Sequence, residues 1–217
     1  MHTNLTSALG TNPALPEFGL GERRLVFAPL LGNGIFTQDG AQWARTRSLL
    51  KPAFYHRDQV LAQMAAASEN LIGVLPQNGV VDLQPLFFRY TLETTSYLLF
   101  GQDLEASQTP LSDDVTSFAA AFDKSQDYLA RRGRLGGLYW LIDSLEFRRN
   151  CKHVHEHIDR AIESALQVSK SSEQKPSYSI LEALLEQSQD PKWLREQCLN
   201  VLLAGRDTTA CLLSWTL

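Results

Sequence analysis

The final stretch of the chain, DPKWLREQCLNVLLAGRDTTACLLSWTL, is the sequence feature that most constrains the fold. Asp190 is a favourable N-cap, and Pro191 suits the first helical position because its missing N–H would have no partner there. From Trp193 onward the residues are almost wholly apolar, which predicts a helix buried on most sides. The pattern therefore predicts one long helix over residues 190–217, about 40 Å from end to end.

One polar segment, Ala204-Gly205-Arg206-Asp207-Thr208-Thr209, interrupts this apolar helix. A glycine inside a helix costs about 1 kcal/mol relative to alanine, and a buried Asp needs a partner or water. Thr208 lies one turn after Ala204, so its hydroxyl is expected to bond the Ala204 carbonyl and open a notch. A bare backbone beside a hydroxyl and a carboxylate would suit a flat cofactor carrying a small polar ligand. The alternative is a kinked core helix in which Gly205 permits close packing.

A second pattern lies near the start of the chain, where Asp39 and Gln42 resemble a capping box and Pro52 is expected to end a helix. Trp43 and Arg47 are four residues apart and therefore project from one face of that helix. Both side chains only donate hydrogen bonds, and two converging donors, one of them charged, suit a carboxylate. The alternative is an ordinary amphipathic helix with a surface arginine.

The two patterns together resemble the cytochromes P450, the haem-thiolate monooxygenases. AGRDTT matches every position of the family's oxygen-activation motif, Ala/Gly-Gly-x-Asp/Glu-Thr-Thr/Ser. Trp-x-x-x-Arg, closely after LLGNGIFTQDG and before a basic residue and Pro-x-Phe, is similar to helix C, where Trp43 and Arg47 would bind a haem propionate. The resemblance implies an all-α chain that is part of the cytochrome P450 fold, from about helix B′ to helix I, without most of the β-rich region. Residues 1–38 would be a loop region, 39–189 helices C to H, and 190–217 a truncated helix I.

The resemblance also implies roles for the residues of the polar segment and a haem b cofactor. Thr208 would take part in oxygen activation and help relay a proton, and Asp207 would link that relay to solvent. Ala204 and Gly205 would let the haem and dioxygen approach the helix. Electrons would come from NADPH through a reductase, which in this family docks on the basic surface around helix C, where Arg45 and Lys51 stand.

None of the three cysteines fits the family's iron-ligand loop, F-x-x-G-x-R-x-C-x-G. Cys151, Cys198 and Cys211 lie far apart, two of them in apolar helical contexts, which indicates buried reduced thiols rather than disulfides. The iron-ligating cysteine is therefore expected outside this chain. We expect the chain to be a fragment cut inside its last helix, and inactive as a monooxygenase by itself.

The segment PLLGNGIFTQDG together with LNVLLAGRDTTA looks like the fungal microsomal alkane and fatty-acid ω-hydroxylases. This likeness implies a long-chain apolar substrate and the cytoplasmic face of the endoplasmic reticulum membrane, reached only through an N-terminal anchor absent here. Apolar residues before helix C and on the last helix would line the substrate pocket. These are Leu25, Val26, Phe27, Ile35, Phe36, Val201 and Ala204.

Composition and charge exclude some other classes of function. The net charge of −4 argues against nonspecific nucleic-acid binding, and the 44% of apolar residues suffices for a real core. No run of 18 uninterrupted apolar residues is present. The alternative function is a noncatalytic helical interaction module from a truncated gene.

Two further patterns carry no predicted function. His153, His155 and His157 are expected on a solvated helix face without a metal, because no third ligand has recognisable spacing. Glu146 and Arg149 form an E-x-x-R upstream of the last helix, the wrong order for the family motif, and are expected to be a surface ion pair. Cap and breaker residues predict the remaining helices over residues 57–75, 82–100, 112 to about 133, 144 to about 170 and 179–187.

Overall fold

A computed structural model describes residues 19–54, 57–101, 113–171 and 179–216, and the regular structure in these ranges is entirely helical. This confirms the all-α prediction. The expected loop over residues 1–18, the helix start at Ser112 and most of the linker from Ser169 to Pro176 lie outside the described residues. In chain order the helices are α1 (Arg23–Leu31), α2 (Gly40–Ala53), α3 (Arg57–Val74), α4 (Leu83–Phe100), α5 (Asp113–Leu135), a 3-10 helix (Gly136–Leu141), α6 (Leu145–Ser171), α7 (Ile180–Leu185) and α8 (Pro191–Thr216).

The long helix α8 organises the core, as the sequence predicted. It packs most extensively against α4 and also contacts α1, α6 and α7, while α5 and α6 pack against each other. Its first half is buried, but Leu212 and Trp215 near its end are exposed in the described part of the chain, so burial on most sides holds only for the first half. The largest buried side chains include Phe118, Phe122, Phe147, Leu30, Leu99, Ile158, Leu194 and Leu199. No helix in the described ranges is long and apolar enough to cross a bilayer.

Helix caps confirm most of the predicted helix starts. The side chains of Asp82, Ser144, Ser179 and Asp190 each accept a backbone N–H from the first turn of α4, α6, α7 and α8. Gly101 ends α4 in the left-handed conformation, with φ of 68°, which favours glycine. Helix α7 ends at Leu185, two residues earlier than predicted.

Helix α1 contradicts the prediction of a loop over residues 1–38. Pro29 lies inside it, and a proline leaves the carbonyl four residues earlier without its helical partner. Here that carbonyl belongs to Leu25, and Arg132 of α5 donates to it and to the Val26 carbonyl at 3.4 and 3.1 Å. Buried Val26, Leu30 and Leu31 add an apolar face. Tertiary contacts therefore stabilise a helix that the glycine- and proline-rich sequence did not indicate.

The predicted capping box at the start of α2 is wrong. Asp39 occupies the N-cap position, but its carboxylate accepts no hydrogen bond from α2. Instead its two oxygens accept the backbone N–H of Leu20, at 3.1 and 3.0 Å. Asp39 thus fastens the chain before α1 to the start of α2, and the helix extends one residue past Pro52.

Two expectations for α6 also fail. His157 is 5% exposed and stacks on Phe118, and the Nε2 atom of His155 lies 2.8 Å from the Leu30 carbonyl oxygen, so this face is not solvated. Burial lowers the pKa of His155 below its usual value. Glu146 pairs with Lys124 and accepts the Tyr128 hydroxyl rather than pairing with Arg149.

Candidate functional site

The polar segment of α8 has the local geometry that its spacing predicted. The Thr208 hydroxyl donates to the Ala204 carbonyl oxygen at 2.6 Å, and α8 continues through the segment without a break. Thr208 is exposed, and Ala204 and Asp207 are half-buried. In the described part of the chain, the hydroxyl therefore lies on an open face of α8, and Asp207, whose carboxylate accepts from Arg206, precedes it in the sequence.

The surroundings of Gly205 agree with the close-packing alternative. A Cβ atom at this position would lie 2.5 Å from Oγ1 and 2.8 Å from Cγ2 of Thr95 on α4. Real Cβ contacts are not this short, so Gly205 is needed for the close approach of α4 and α8. The structure therefore shows a packing role for this glycine, and its contact with a cofactor stays a prediction.

The structure adds Arg206, which the sequence reasoning did not assign. Its guanidinium is 2% exposed, and it lies over the rings of Phe88 and Phe122 at 4.8 and 5.5 Å. It donates to the carboxylates of Asp123 on α5 and of Asp207. The sequence did show a charged residue inside an apolar helix, but it could not show that its partner would be Asp123, 83 residues away.

The carboxyl group of Asp207 is held in an environment that favours its protonated form. Burial raises its pKa above the usual range, and the negative charge of Asp123 adds to the rise. The positive charge of Arg206 and a hydrogen bond with Gln126 oppose that rise. A carboxyl group with a raised pKa beside a hydroxyl is suited to holding and passing a proton.

Trp43 and Arg47 project from one face of α2, as predicted. The Arg47 guanidinium carbon lies 5.7 Å from the centre of the Trp43 ring. Trp43 is half-buried and Arg47 is exposed, and no acidic side chain of the described residues pairs with Arg47. Two donors held side by side without a protein acceptor fit the carboxylate of a ligand such as a haem propionate. Helix α2 packs mainly on α7, so this pair and the polar segment of α8 are on helices without extensive mutual contact.

The residues predicted to line an apolar pocket differ in their exposure. Leu25 is 54% exposed, whereas Val26 and Val201 are buried in the core. Phe27, Ile35 and Phe36 are half-buried. One cavity of about 300 Å³ beside α1 is polar, and it is lined by Arg24, Ala28, Gly32, Asn33, His155, Lys192, Arg195 and Glu196. Val26 and Val201 belong to the packing between helices, because their side chains point into the core.

The cysteines are free thiols, as the sequence predicted, but the apolar context of Cys211 did not make it buried. Cys151 and Cys198 are buried and Cys211 is exposed, and all three are free thiols. Burial raises the thiol pKa to about 11 for Cys151 and about 12 for Cys198, which favours the neutral thiol over the thiolate in both. The residues that the structure describes contain no cluster of His, Cys, Asp and Glu able to hold a metal ion.

Comparison with known proteins agrees with this geometry. The family model described as Cytochrome P450 matches residues 21–217. A cytochrome P450 of Arthroderma benhamiae is 51% identical over 193 residues, which cover 86% of this chain and 39% of that protein. Cytochrome P450 52A9 of Candida maltosa is 38% identical, over 99% of this chain and 43% of its own length. Cytochrome P450 52A13 of Debaryomyces hansenii is also 38% identical, over 98% of this chain and 43% of its length.

The chain thus spans about two fifths of the length of these curated relatives. The match includes both the Trp43–Arg47 helix and the polar segment 204–209. The sequence and the helical architecture agree with the match over nearly the whole chain, and the chain belongs to the cytochrome P450 family.

Proposed function

We propose that this chain is part of a haem-dependent monooxygenase that inserts one oxygen atom of O2 into an unactivated C–H bond of an alkane or a fatty acid, at the terminal carbon. The observation that carries this proposal is the Thr208 hydroxyl on an open face of α8, bonded to the Ala204 carbonyl at 2.6 Å and preceded in the sequence by the half-buried Asp207. Haem b, when bound, supplies the activation of dioxygen and the oxidation of the C–H bond.

The protein's own contribution at this site is the handling of protons. A hydroxyl can turn its proton from the Ala204 carbonyl toward another acceptor and can itself accept a hydrogen bond. We propose that Thr208 holds a proton near the reacting oxygen and that Asp207 replenishes it. The raised pKa of Asp207 supports this role, since its carboxyl group releases and regains a proton more readily near neutral pH than an ordinary aspartate does.

Cofactor binding on this chain would rest on Trp43 and Arg47, which would hold a haem propionate. The iron-ligating cysteine would come from outside residues 1–217, because all three thiols lie in helices, on α6 and α8, and none in a suitable loop. Electrons would come from NADPH through a reductase. The exposed Arg45 and Lys51 of α2 are proposed as part of its docking surface, and the endoplasmic reticulum membrane, on its cytoplasmic face, as its location.

The substrate class rests on the relatives and on the apolar residues near the polar segment. The relatives named 52A9 and 52A13 align over nearly the whole chain, and the chain resembles the fungal alkane and fatty-acid ω-hydroxylases. Half-buried Phe27, Ile35 and Phe36 offer apolar surface that a long-chain substrate would complete. Half-buried Ala204 would contribute the α8 side of that surface.

The test is product analysis with the longest protein that the gene encodes, a fungal reductase and NADPH. Dodecane or lauric acid is supplied under isotopically labelled dioxygen, and the product is identified by mass spectrometry. We expect a terminal alcohol that carries one labelled oxygen atom, and none without NADPH. A protein that binds haem but forms no hydroxylated product from either substrate would overturn the proposed substrate class. A protein that purifies without haem would support the noncatalytic interaction module instead.

A further inference from the structure

The turn between α1 and α2, residues 32–38, has a defined shape that the chain builds for itself. The Thr37 hydroxyl donates to the Gly32 carbonyl at 2.8 Å and accepts the Gly34 N–H at 2.9 Å. The Gln38 side chain donates to the Asn33 carbonyl at 3.0 Å. Both Thr37 and Gln38 are buried. The turn is therefore a structured connection that leads directly into α2.

Asn200 of α8 joins this turn to the long helix. It is completely buried, and its Oδ1 atom accepts the Phe36 N–H at 3.0 Å while its Nδ2 atom donates to the Leu31 carbonyl at 3.0 Å. Its second Nδ2 hydrogen goes to the Glu196 carbonyl of its own helix, at 2.7 Å. One amide side chain thus bonds the backbone just before the turn, at Leu31, and within it, at Phe36.

The contact leaves no spare room at Gly34. A Cβ atom there would lie 2.2 Å from Nδ2 and 2.4 Å from Cγ of Asn200. Such distances require the turn or the asparagine to move. The backbone of the turn and the amide group of Asn200 therefore fix each other's position.

The hydrogen bonds of Asn200 to Phe36 and Leu31, called the clamp from here on, have a functional consequence because of their position along α8. Asn200 lies one helical turn before Ala204 on the same face, so the two are separated by about 6 Å along the axis. The bond from Phe36 to Asn200 therefore fixes the backbone that carries Ile35 and Phe36 about one helical turn before Ala204 along α8. A different side chain at position 200 would change where these two apolar residues lie.

We propose that Asn200 is a positioning residue that sets the place of Ile35 and Phe36 relative to Ala204 and thereby determines which carbon of the substrate is hydroxylated. This inference rests on the proposed function. Asn200 does not touch the reacting atoms; it acts through the turn. An amide is required because it both accepts from Phe36 and donates to Leu31, a combination that neither an aspartate nor a leucine provides.

The main experiment measures the ratio of terminal to subterminal alcohol from lauric acid, using the longest gene product with its reductase. Asn200→Ala is expected to lower that ratio by about threefold or more, because small displacements near a reacting carbon have large effects on rate. Ser125→Ala is the matched control, since Ser125 is also fully buried and bonds only to Ala121 and Cys151. Its ratio should equal that of the wild type.

Gly34→Ala approaches the same contact from the other side and keeps the test valid if Asn200→Ala folds poorly. By itself it should lower the ratio, because its methyl group would collide with the Asn200 amide. In the double variant Gly34→Ala/Asn200→Ala the colliding atoms are gone, so the ratio should be no lower than in Asn200→Ala. A double variant whose loss equals the product of the two single losses would contradict the clamp.

Hydrogen exchange at residues 32–38, followed by mass spectrometry, separates this inference from the proposed function. Asn200→Ala should exchange faster in this segment, and Ser125→Ala should not. If exchange is unchanged, the clamp is refuted. If exchange is faster but the product ratio stays at the wild-type value, the specificity role is refuted and the proposed function stands. If the wild-type protein hydroxylates neither lauric acid nor dodecane, the proposed function fails and the specificity role fails with it.

Discussion

The substitution Gly205→Ala tests the packing of α4 against α8. In an isolated helix the change would be favourable by about 1 kcal/mol, because alanine is the better helix former. In this protein the new methyl group would meet Thr95, at 2.5 Å from Oγ1 and 2.8 Å from Cγ2. Thr95 is 5% exposed, and its rotation about χ1 merely exchanges one close atom for the other. The helices must therefore separate.

Forcing a methyl group into a packed core costs about 1–3 kcal/mol. The cost at Gly205 should lie toward the upper end of this range, because the stiff side chain of Thr95 on a second helix blocks the new methyl group. After the gain in helix propensity, we expect a net loss of about 1–2 kcal/mol in the free energy of unfolding. Urea unfolding, followed by the circular dichroism of the helices at about 222 nm, measures this loss.

A double-mutant cycle with Thr95→Ala identifies the cause of the loss. In the Thr95→Ala background the obstructing atoms are absent, so Gly205→Ala should become neutral or stabilising, by up to about 1 kcal/mol. An equal loss in both backgrounds would mean that Thr95 is not the obstacle. A gain in stability from Gly205→Ala in the wild-type background would refute the packing role and leave a cofactor contact as the reason for the glycine.

Three further outcomes are expected. In the longest gene product, Thr208→Ala should lower the amount of hydroxylated product per NADPH severalfold and raise the amount of hydrogen peroxide, because an ordered proton donor is lost. The helix itself should survive, since alanine is a better helix former than threonine. An unchanged amount of product per NADPH would exclude Thr208 from the proton relay. Arg47→Ala should reduce the haem content of the purified protein, since a charge-assisted hydrogen bond is worth about 1.5–3 kcal/mol, and an unchanged haem-to-protein ratio would leave Arg47 as a surface residue. Arg206→Met should destabilise by about 3 kcal/mol, because it leaves carboxylates without their partner, and the loss should grow as the pH rises. The direction of this pH dependence follows from Asp207, because without Arg206 its pKa in the folded protein rises further above the unfolded value near 4. The folded state then binds more protons than the unfolded state, so the variant loses stability as the pH increases. A stability difference from the wild type that does not change with pH would contradict this.

Local signals gave the correct helices, and distant contacts account for the errors. Asp82 and Gly101 mark the ends of α4 through groups within a few residues, so the sequence was sufficient to predict it. Helix α1 contains Pro29, and it depends on Arg132, more than 100 residues later, for hydrogen bonds to its carbonyls. No pattern of neighbouring residues indicates such a bond.

The candidate site likewise combines local features, which the sequence could predict, with contacts between distant residues, which it could not. The bond from Thr208 to Ala204 spans one helical turn and was predictable from spacing. The surroundings of Gly205 depend on Thr95, and those of Arg206 depend on Asp123, each from another helix. The sequence indicated that both positions were unusual inside an apolar helix, but only the packing of α4 and α5 against α8 distinguishes their roles.

The separation in sequence between Phe36 and Asn200 has a consequence for how the protein is made. The two residues are 164 positions apart, and at a synthesis rate of about 5–20 residues per second, the turn waits about 8–33 s for its asparagine to be translated. Until α8 emerges, the N–H of Phe36 and the carbonyl of Leu31 lack this partner, and the apolar side chains near them have no helix to cover them. The turn is therefore synthesised well before α8, and its contact with Asn200 can form only after α8 has been translated, so a ribosome-associated chaperone has that interval in which to cover it.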